Sequence, residues 1–242
     1  MTSAEGLWLG GLSPATSMYC VLDVPCAYAM NGVVLDDGTY WFLYRVGKLS
    51  IGMLQGNSIS DNGAFNSSDG IDLNFELISV RPVAIASSYV AKEMMDGTVS
   101  YPKEPNNFAI SLNALYDTNY DVTPNISALA GAYSGETAIP GATDTISLTI
   151  SSAGVISGST GLGCTFTGTT ALRHGNVYDL SVTFAGGSCL NGTDTLTGVA
   201  FHNAIDLDRG FPKTVFMAAL NNSRTKGFLL VGCTPGETGC NT

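Results

Sequence analysis

Charge is scarce in this chain, basic charge scarcer, and no apolar run is long. Of 242 residues 12% are charged, ten are Lys or Arg and two are His. Twenty acids against those ten bases leave a formal net charge of -10. Phosphate backbones repel such a surface, so an RNA or DNA partner is not expected. No apolar stretch approaches the ~20 residues that span a bilayer as a helix, so no membrane span is expected. No segment combines Ala, Leu, Glu, Lys and Arg at helical spacing, which argues against long helices. G-x-S-x-G, the P-loop and the dinucleotide fingerprint are missing. Met1-Thr2-Ser3-Ala4-Glu5 carries neither a charged n-region nor an apolar h-region, so the chain as it stands shows no signal peptide.

What is abundant is turn chemistry. There are 29 Gly residues, and Ser, Thr and Asn are dense throughout. These residues sit at turns, either because they tolerate positive φ or because they bond locally to backbone. Together with 45% hydrophobic residues they predict an all-β protein with little helix.

Three segments recur in the same order. Gly6-Leu7-Trp8-Leu9-Gly10 and Gly131-Ala132-Tyr133-Ser134-Gly135 share a G-x-aromatic-x-G form. A hairpin follows each, with turns at Asp36-Asp37-Gly38 and Ser152-Ala153-Gly154. Met53-Leu54-Gln55-Gly56 then matches Cys164-Thr165-Phe166-Thr167-Gly168. The order predicts two tandem antiparallel β-barrel or β-sandwich modules, 1-122 and 123-242, the second ending in a disulfide-bonded tail. Pro124 favours an extended join, and 126–130 suits one helical turn against a barrel end.

Alternation of period two predicts further strands. Ile71, Leu73, Phe75 and Leu77 are expected to form one core face, Phe108, Ile110 and Leu112 another, and Tyr178, Leu180, Val182 and Phe184 a third. Val215–Leu220 and Phe228–Val231 read as strands buried on both faces. The segment from Tyr89 to Glu93 is read as strand.

Six cysteines pair by proximity as Cys20/Cys26, Cys164/Cys189 and Cys233/Cys240. Six allow 15 pairings. Metal spacing such as C-x-x-C is missing, so disulfides are favoured over zinc, and disulfides imply an oxidising compartment.

Chemistry-bearing residues have structural readings that outweigh catalytic ones. Asp36 and Asp37 belong to a hairpin tip. Asp206, Asp208 and His202 admit a carboxylate pair for acid/base work, although a polar loop explains them as well. Asp61-Asn62-Gly63 and Ser68-Asp69-Gly70-Ile71-Asp72 are oxygen-rich but lack the EF-hand ligand spacing. Asn66, Asn125, Asn191 and Asn221 begin N-x-S/T triplets, which a chain of this composition produces by chance. No catalytic residue, cofactor or metal site is expected. The densest aromatic cluster, Tyr40, Trp41, Phe42 and Tyr44, is a candidate binding surface on one face and core on the other.

Leu129 to Gly135, Gly163 to Gly168, Gly175 to Phe184 and Cys189 resemble segments of poorly characterised proteobacterial outer-membrane lipoproteins and secreted proteins. Glu5 to Gly10 and Val34 to Trp41 resemble their N-terminal halves. The resemblance implies an export signal and a lipidated Cys ahead of Met1, and no active site. The Cys20/Cys26 and Cys233/Cys240 pairs are additions to that pattern. The expectation is therefore a non-enzymatic cell-envelope or extracellular protein with a binding or structural role. A carrier of a small apolar ligand in a barrel and a subunit of an extracellular assembly are the alternatives.

Overall fold

The computed structural model describes residues 3–14, 26–104, 108–203 and 213–235. The chain divides into two units, Met1–Tyr120 and Asp121–Thr242. Each unit is a closed antiparallel barrel of eight strands joined in sequence order.

Barrel one is built from β1 (Gly6–Ser13), β2 (Tyr28–Val34), β3 (Thr39–Val46), β4 (Leu49–Asn57), β6 (Ala64–Asn74), β7 (Ser79–Val90), β8 (Met94–Ser100) and β9 (Ala109–Asp117). A three-residue strand, β5 (Ile59–Asp61), pairs with the first part of β6, and β4 pairs with its second part to complete the ring. β1 closes it against β9. Closure removes the edges on which a Ser/Thr-rich sheet would otherwise recruit other strands.

Barrel two runs β10 (Gly131–Ile139), β11 (Ala142–Ile150), β12 (Val155–Thr160), β13 (Thr165–Leu172), β14 (Val177–Phe184), β15 (Thr195–Asn203), β16 (Thr214–Leu220) and β17 (Gly227–Cys233), which returns to β10. The expected helical turn is α1 (Ile126–Leu129), capped by Asn125, whose side chain accepts from the Ser127 N–H. Leu129 is fully buried in the barrel-two core.

The G-x-aromatic-x-G segments are the first strands of the two barrels, and the same local chemistry shapes both. Gly6 and Gly131 take φ of 154° and 148°. Trp8 Nε1 donates to Ala4 O at 3.0 Å, and the Tyr133 hydroxyl donates to Leu129 O at 2.7 Å, each reaching a carbonyl four residues upstream. A Cβ at Gly10 would stand 1.9 Å from Asn113 O, and one at Gly135 2.1 Å from Val231 O. Close backbone approach to the closing strand therefore demands glycine at both positions.

Alternation places the cores largely as expected. Ile110, Leu112 and Ala114 of β9 point into barrel one, and Tyr178, Leu180, Val182 and Phe184 of β14 into barrel two. β16 and most of β17 are buried on both faces, as their continuous apolar runs require. Of 89–93, Tyr89 and Val90 end β7, and the chain then turns.

β6 departs from the expectation. Ile71, Leu73, Phe75 and Leu77 do not line the barrel: Leu73 lies on the outer wall, and Phe75 and Leu77 fall beyond the end of β6 in the turn to β7, with Leu77 exposed. For Ile71 and Leu73 a β-bulge is the cause. Ser67 opposes Ile85 and Gly70 opposes Val83, so β6 spends one residue more than β7 between these pairs. The extra residue turns every later side chain over, and Asp72 and Asn74 face inward instead. Asp69 holds the bulge, accepting from Asn57 N at 2.9 Å and from Asn57 Nδ2 at 2.7 Å.

Candidate functional site

The bulge delivers a carboxylate to the interior of barrel one. Asp72 has no solvent exposure. It accepts from the Tyr44 hydroxyl at 2.5 Å, from Arg81 Nη2 at 2.7 Å and from the Tyr101 hydroxyl at 3.1 Å. The Arg81 guanidinium also lies 4.6 Å from the centre of the Tyr101 ring, a cation–π distance. Burial pushes the Asp72 carboxyl above the ordinary carboxylate value, opposed by the Tyr44 hydrogen bond and the Arg81 charge. Burial, and then the neighbouring Asp72 charge, raise the phenols of Tyr44 and Tyr101. For Arg81 burial works against the charge, Asp72 outweighs it, and the guanidinium is held above its usual value. The four groups form one ionic hydrogen-bond network.

Above it opens a cleft of about 270 Å³ including its mouth, lined by Leu12, Tyr28, Tyr101 and Phe108 over Asp72 and Arg81. The cleft is narrow and admits only water-sized molecules. A carboxylate whose partners are all protein donors holds a fold together.

The aromatic cluster of β3 divides between the two faces of the wall. Tyr40, Phe42 and Tyr44 point inward and Trp41 outward, and all four are buried. The Tyr40 ring packs 5.1 Å from Phe42 and 5.7 Å from Phe65, and its hydroxyl pairs with Ser67 Oγ at 3.1 Å. These rings pack the interior of barrel one.

The other sequence candidates fall in turns or outside the described residues. Asp37 and Gly38 form the β2–β3 turn, where Asp37 accepts from Thr39 N at 2.9 Å. Asn62 and Gly63 shape the β5–β6 turn with φ of 49° and 81°. Asp206 and Asp208 lie outside the described residues. Cys164 and Cys189 form a disulfide that ties the β12–β13 turn to the loop after β14. Cys26 and Cys233 are disulfide-bonded, while Cys20 and Cys240 lie outside the described residues.

His202 is the polar group of barrel two. It points inward from β15 opposite Val215, is 6% exposed, and its ring stacks with Tyr178 at 6.3 Å. Neither ring nitrogen has a hydrogen-bond partner of normal geometry among the described residues. Burial first, then the Lys213 charge, lower its pKa to about 4, so the ring is neutral at neutral pH.

Reading the sequence alone misses Arg81 and Tyr101 and takes Asp72 for a turn oxygen. One signal was available: Gly70 inside a strand pattern is a mark of a bulge.

On the outer wall of barrel one, Leu9 pairs with Leu115, Leu115 with Met94, and Met94 with Val90. These four form one row across β1, β9, β8 and β7, each between 37% and 66% exposed.

No family model matches this chain. A search of curated proteins finds no match either. A solved structure from Bacteroides fragilis, described as a candidate outer membrane protein, aligns over 96% of this chain and 97% of its own with 12% identity and a TM-score of 0.32.

Proposed function

We propose that this chain is an exported, non-enzymatic protein of the cell envelope or extracellular space, with a structural or binding role. The observation that carries the reading is how its chemical groups are spent. Asp72, Tyr44, Tyr101 and Arg81 are committed to one another inside barrel one, and aromatic rings fill the interior beside them. The Cys164–Cys189 bond between two loops supports an oxidising compartment. β14 turns Asp179, Ser181 and Thr183 outward and apolar residues inward, the reverse of a lipid-embedded barrel. On this reading the barrels work in water, free or tethered by a lipid upstream of Met1, and arose by duplication of one module. Fractionation of the native cell, with protease treatment of intact cells, tests it. Recovery in the envelope or medium with oxidised cysteines is expected; cytosolic recovery with six free thiols overturns the reading.

Membership of an extracellular assembly has a specific observation in its favour, the exposed row Leu9–Leu115–Met94–Val90. Apolar side chains aligned across four strands are the kind of patch that associates. Mass photometry over a concentration series is expected to show oligomers that Leu115→Asp abolishes. Monomers at every concentration overturn this reading.

A further inference from the structure

Helix α1 closes one end of barrel two, and interior side chains hold it by its carbonyls. Tyr178 donates to Asn125 O at 3.0 Å, Tyr133 to Leu129 O at 2.7 Å, and Lys213 Nζ to Ala128 O. Lys213 also sits over the Tyr133 ring at 5.5 Å. His202 belongs to the same cluster. It stacks on Tyr178, stands opposite Val215 with Lys213 two residues before Val215 on the same inward face, and presents two ring nitrogens with no hydrogen-bond partner of normal geometry among the described residues. An orphaned, buried imidazole is costly unless something else sets its role.

Burial and the Lys213 charge disfavour a charge on the ring more than the Asn203 backbone favours one. Tyr178 comes from β14, Tyr133 from β10 and Lys213 from the residue before β16. α1 carries only Ile, Ser, Ala and Leu. Asn176 on one side gives its amide to His202 O at 2.7 Å, leaving the ring untouched. No described carboxylate acts on the ring to favour a charge there.

We propose that His202 is the trigger of an acid-released latch: a proton gained inside barrel two sets imidazolium against the Lys213 ammonium, drives Lys213 off Ala128 O, and frees α1 from the barrel end. Two cations in a poorly solvated pocket repel strongly. Displacing Lys213 relieves that repulsion and removes one of the three holds on α1. Leu129 then leaves the core and an apolar opening is exposed. Apart from the first residues of β10, 131–133, which follow α1, the strands are held by their own ladders and stay closed.

Hydrogen exchange on the full chain tests this at pH 7 and pH 4.5, with rates corrected for intrinsic exchange. Protection of 126–133 in the wild type is expected to fall by more than roughly tenfold at pH 4.5, while 165–184 keeps its protection. His202→Gln and His202→Phe are each expected to hold the change at 126–133 below about twofold. An equal acid response in these variants overturns the proposal. So does no response in the wild type, or loosening of 165–184 in step with 126–133. Should neither variant fold, the His202 C2 proton is titrated by NMR in the wild type. A midpoint shared with exchange at 126–133 supports the latch, and separate midpoints overturn it.

Discussion

Asp72 on β6 and Arg81 on β7 stand directly opposite each other in the barrel-one ladder, and their side chains meet inside the barrel at 2.7 Å. Asp72 is fully buried and Arg81 is 21% exposed in its side chain. A pair in that setting gives little net stability against its desolvation, yet breaking it strands the survivor. Asp72→Ala leaves Arg81 and two tyrosine hydroxyls facing one another without an acceptor. The variant is expected to lose about 3–5 kcal/mol. Both tryptophans of the chain, Trp8 and Trp41, lie in this unit, so urea unfolding followed by Trp fluorescence reads the loss.

Gly10 and Gly135 lie where a first strand nearly touches its closing strand. Gly10→Ala drives a methyl to 1.9 Å from Asn113 O, and Gly135→Ala drives one to 2.1 Å from Val231 O. Backbone cannot yield as a side-chain tip does, so each substitution is expected to destabilise its own barrel by about 2 kcal/mol or more. Trp fluorescence should register Gly10→Ala and stay almost unchanged in Gly135→Ala. Tyr signals from barrel two should show the opposite.

The Cys164–Cys189 bond closes a loop of sequence separation 25. By chain-entropy arithmetic its loss costs about 3 kcal/mol. The Cys164→Ala/Cys189→Ala double variant is expected to lower the midpoint of barrel two in thermal unfolding and leave barrel one unaffected. Intact mass before and after alkylation confirms the bond in the parent protein.

His202 makes barrel two sensitive to acid. Its folded pKa of about 4 lies below the ordinary imidazole value of 6.5. Between these values the unfolded chain binds the proton that the folded one refuses, so stability rises with pH across this window. The contribution is complete above pH 6.5 and is lost as pH falls towards 4, by about 3 kcal/mol in all. His202→Gln is expected to flatten this slope in urea unfolding of barrel two at pH 7, 6, 5 and 4.

The face on which β6 buries its side chains shows where the sequence stops being legible. Ile71, Leu73, Phe75 and Leu77 alternate as cleanly as Tyr178, Leu180, Val182 and Phe184. In β14 the apolar set faces the core, and in β6 it does not. Period two says that alternate residues share a face without saying which face is interior. In β6 that choice came from the single bulged residue between Ser67 and Gly70 and from the ladder to β7. The ionic network was hidden for the same reason. Its members lie on β3, β6, β7 and just after β8, and no spacing along the chain relates Tyr44, Asp72, Arg81 and Tyr101.

The order and composition of its residues already make this protein all-β. Dense Gly, Ser, Thr and Asn set frequent turns, and too little helical patterning remained to compete. That order also determined where the first strand of each barrel begins, because a glycine at positive φ, an aromatic that bonds four residues back and a glycine against the neighbouring backbone are all local requirements. Tertiary structure decided the rest: closure into barrels rather than sandwiches, the inward turn of Asp72, and the burial of His202 beside Lys213 under α1. Each of those depends on which strand lies beside which, and pairing between strands distant in sequence is settled by packing the whole wall at once.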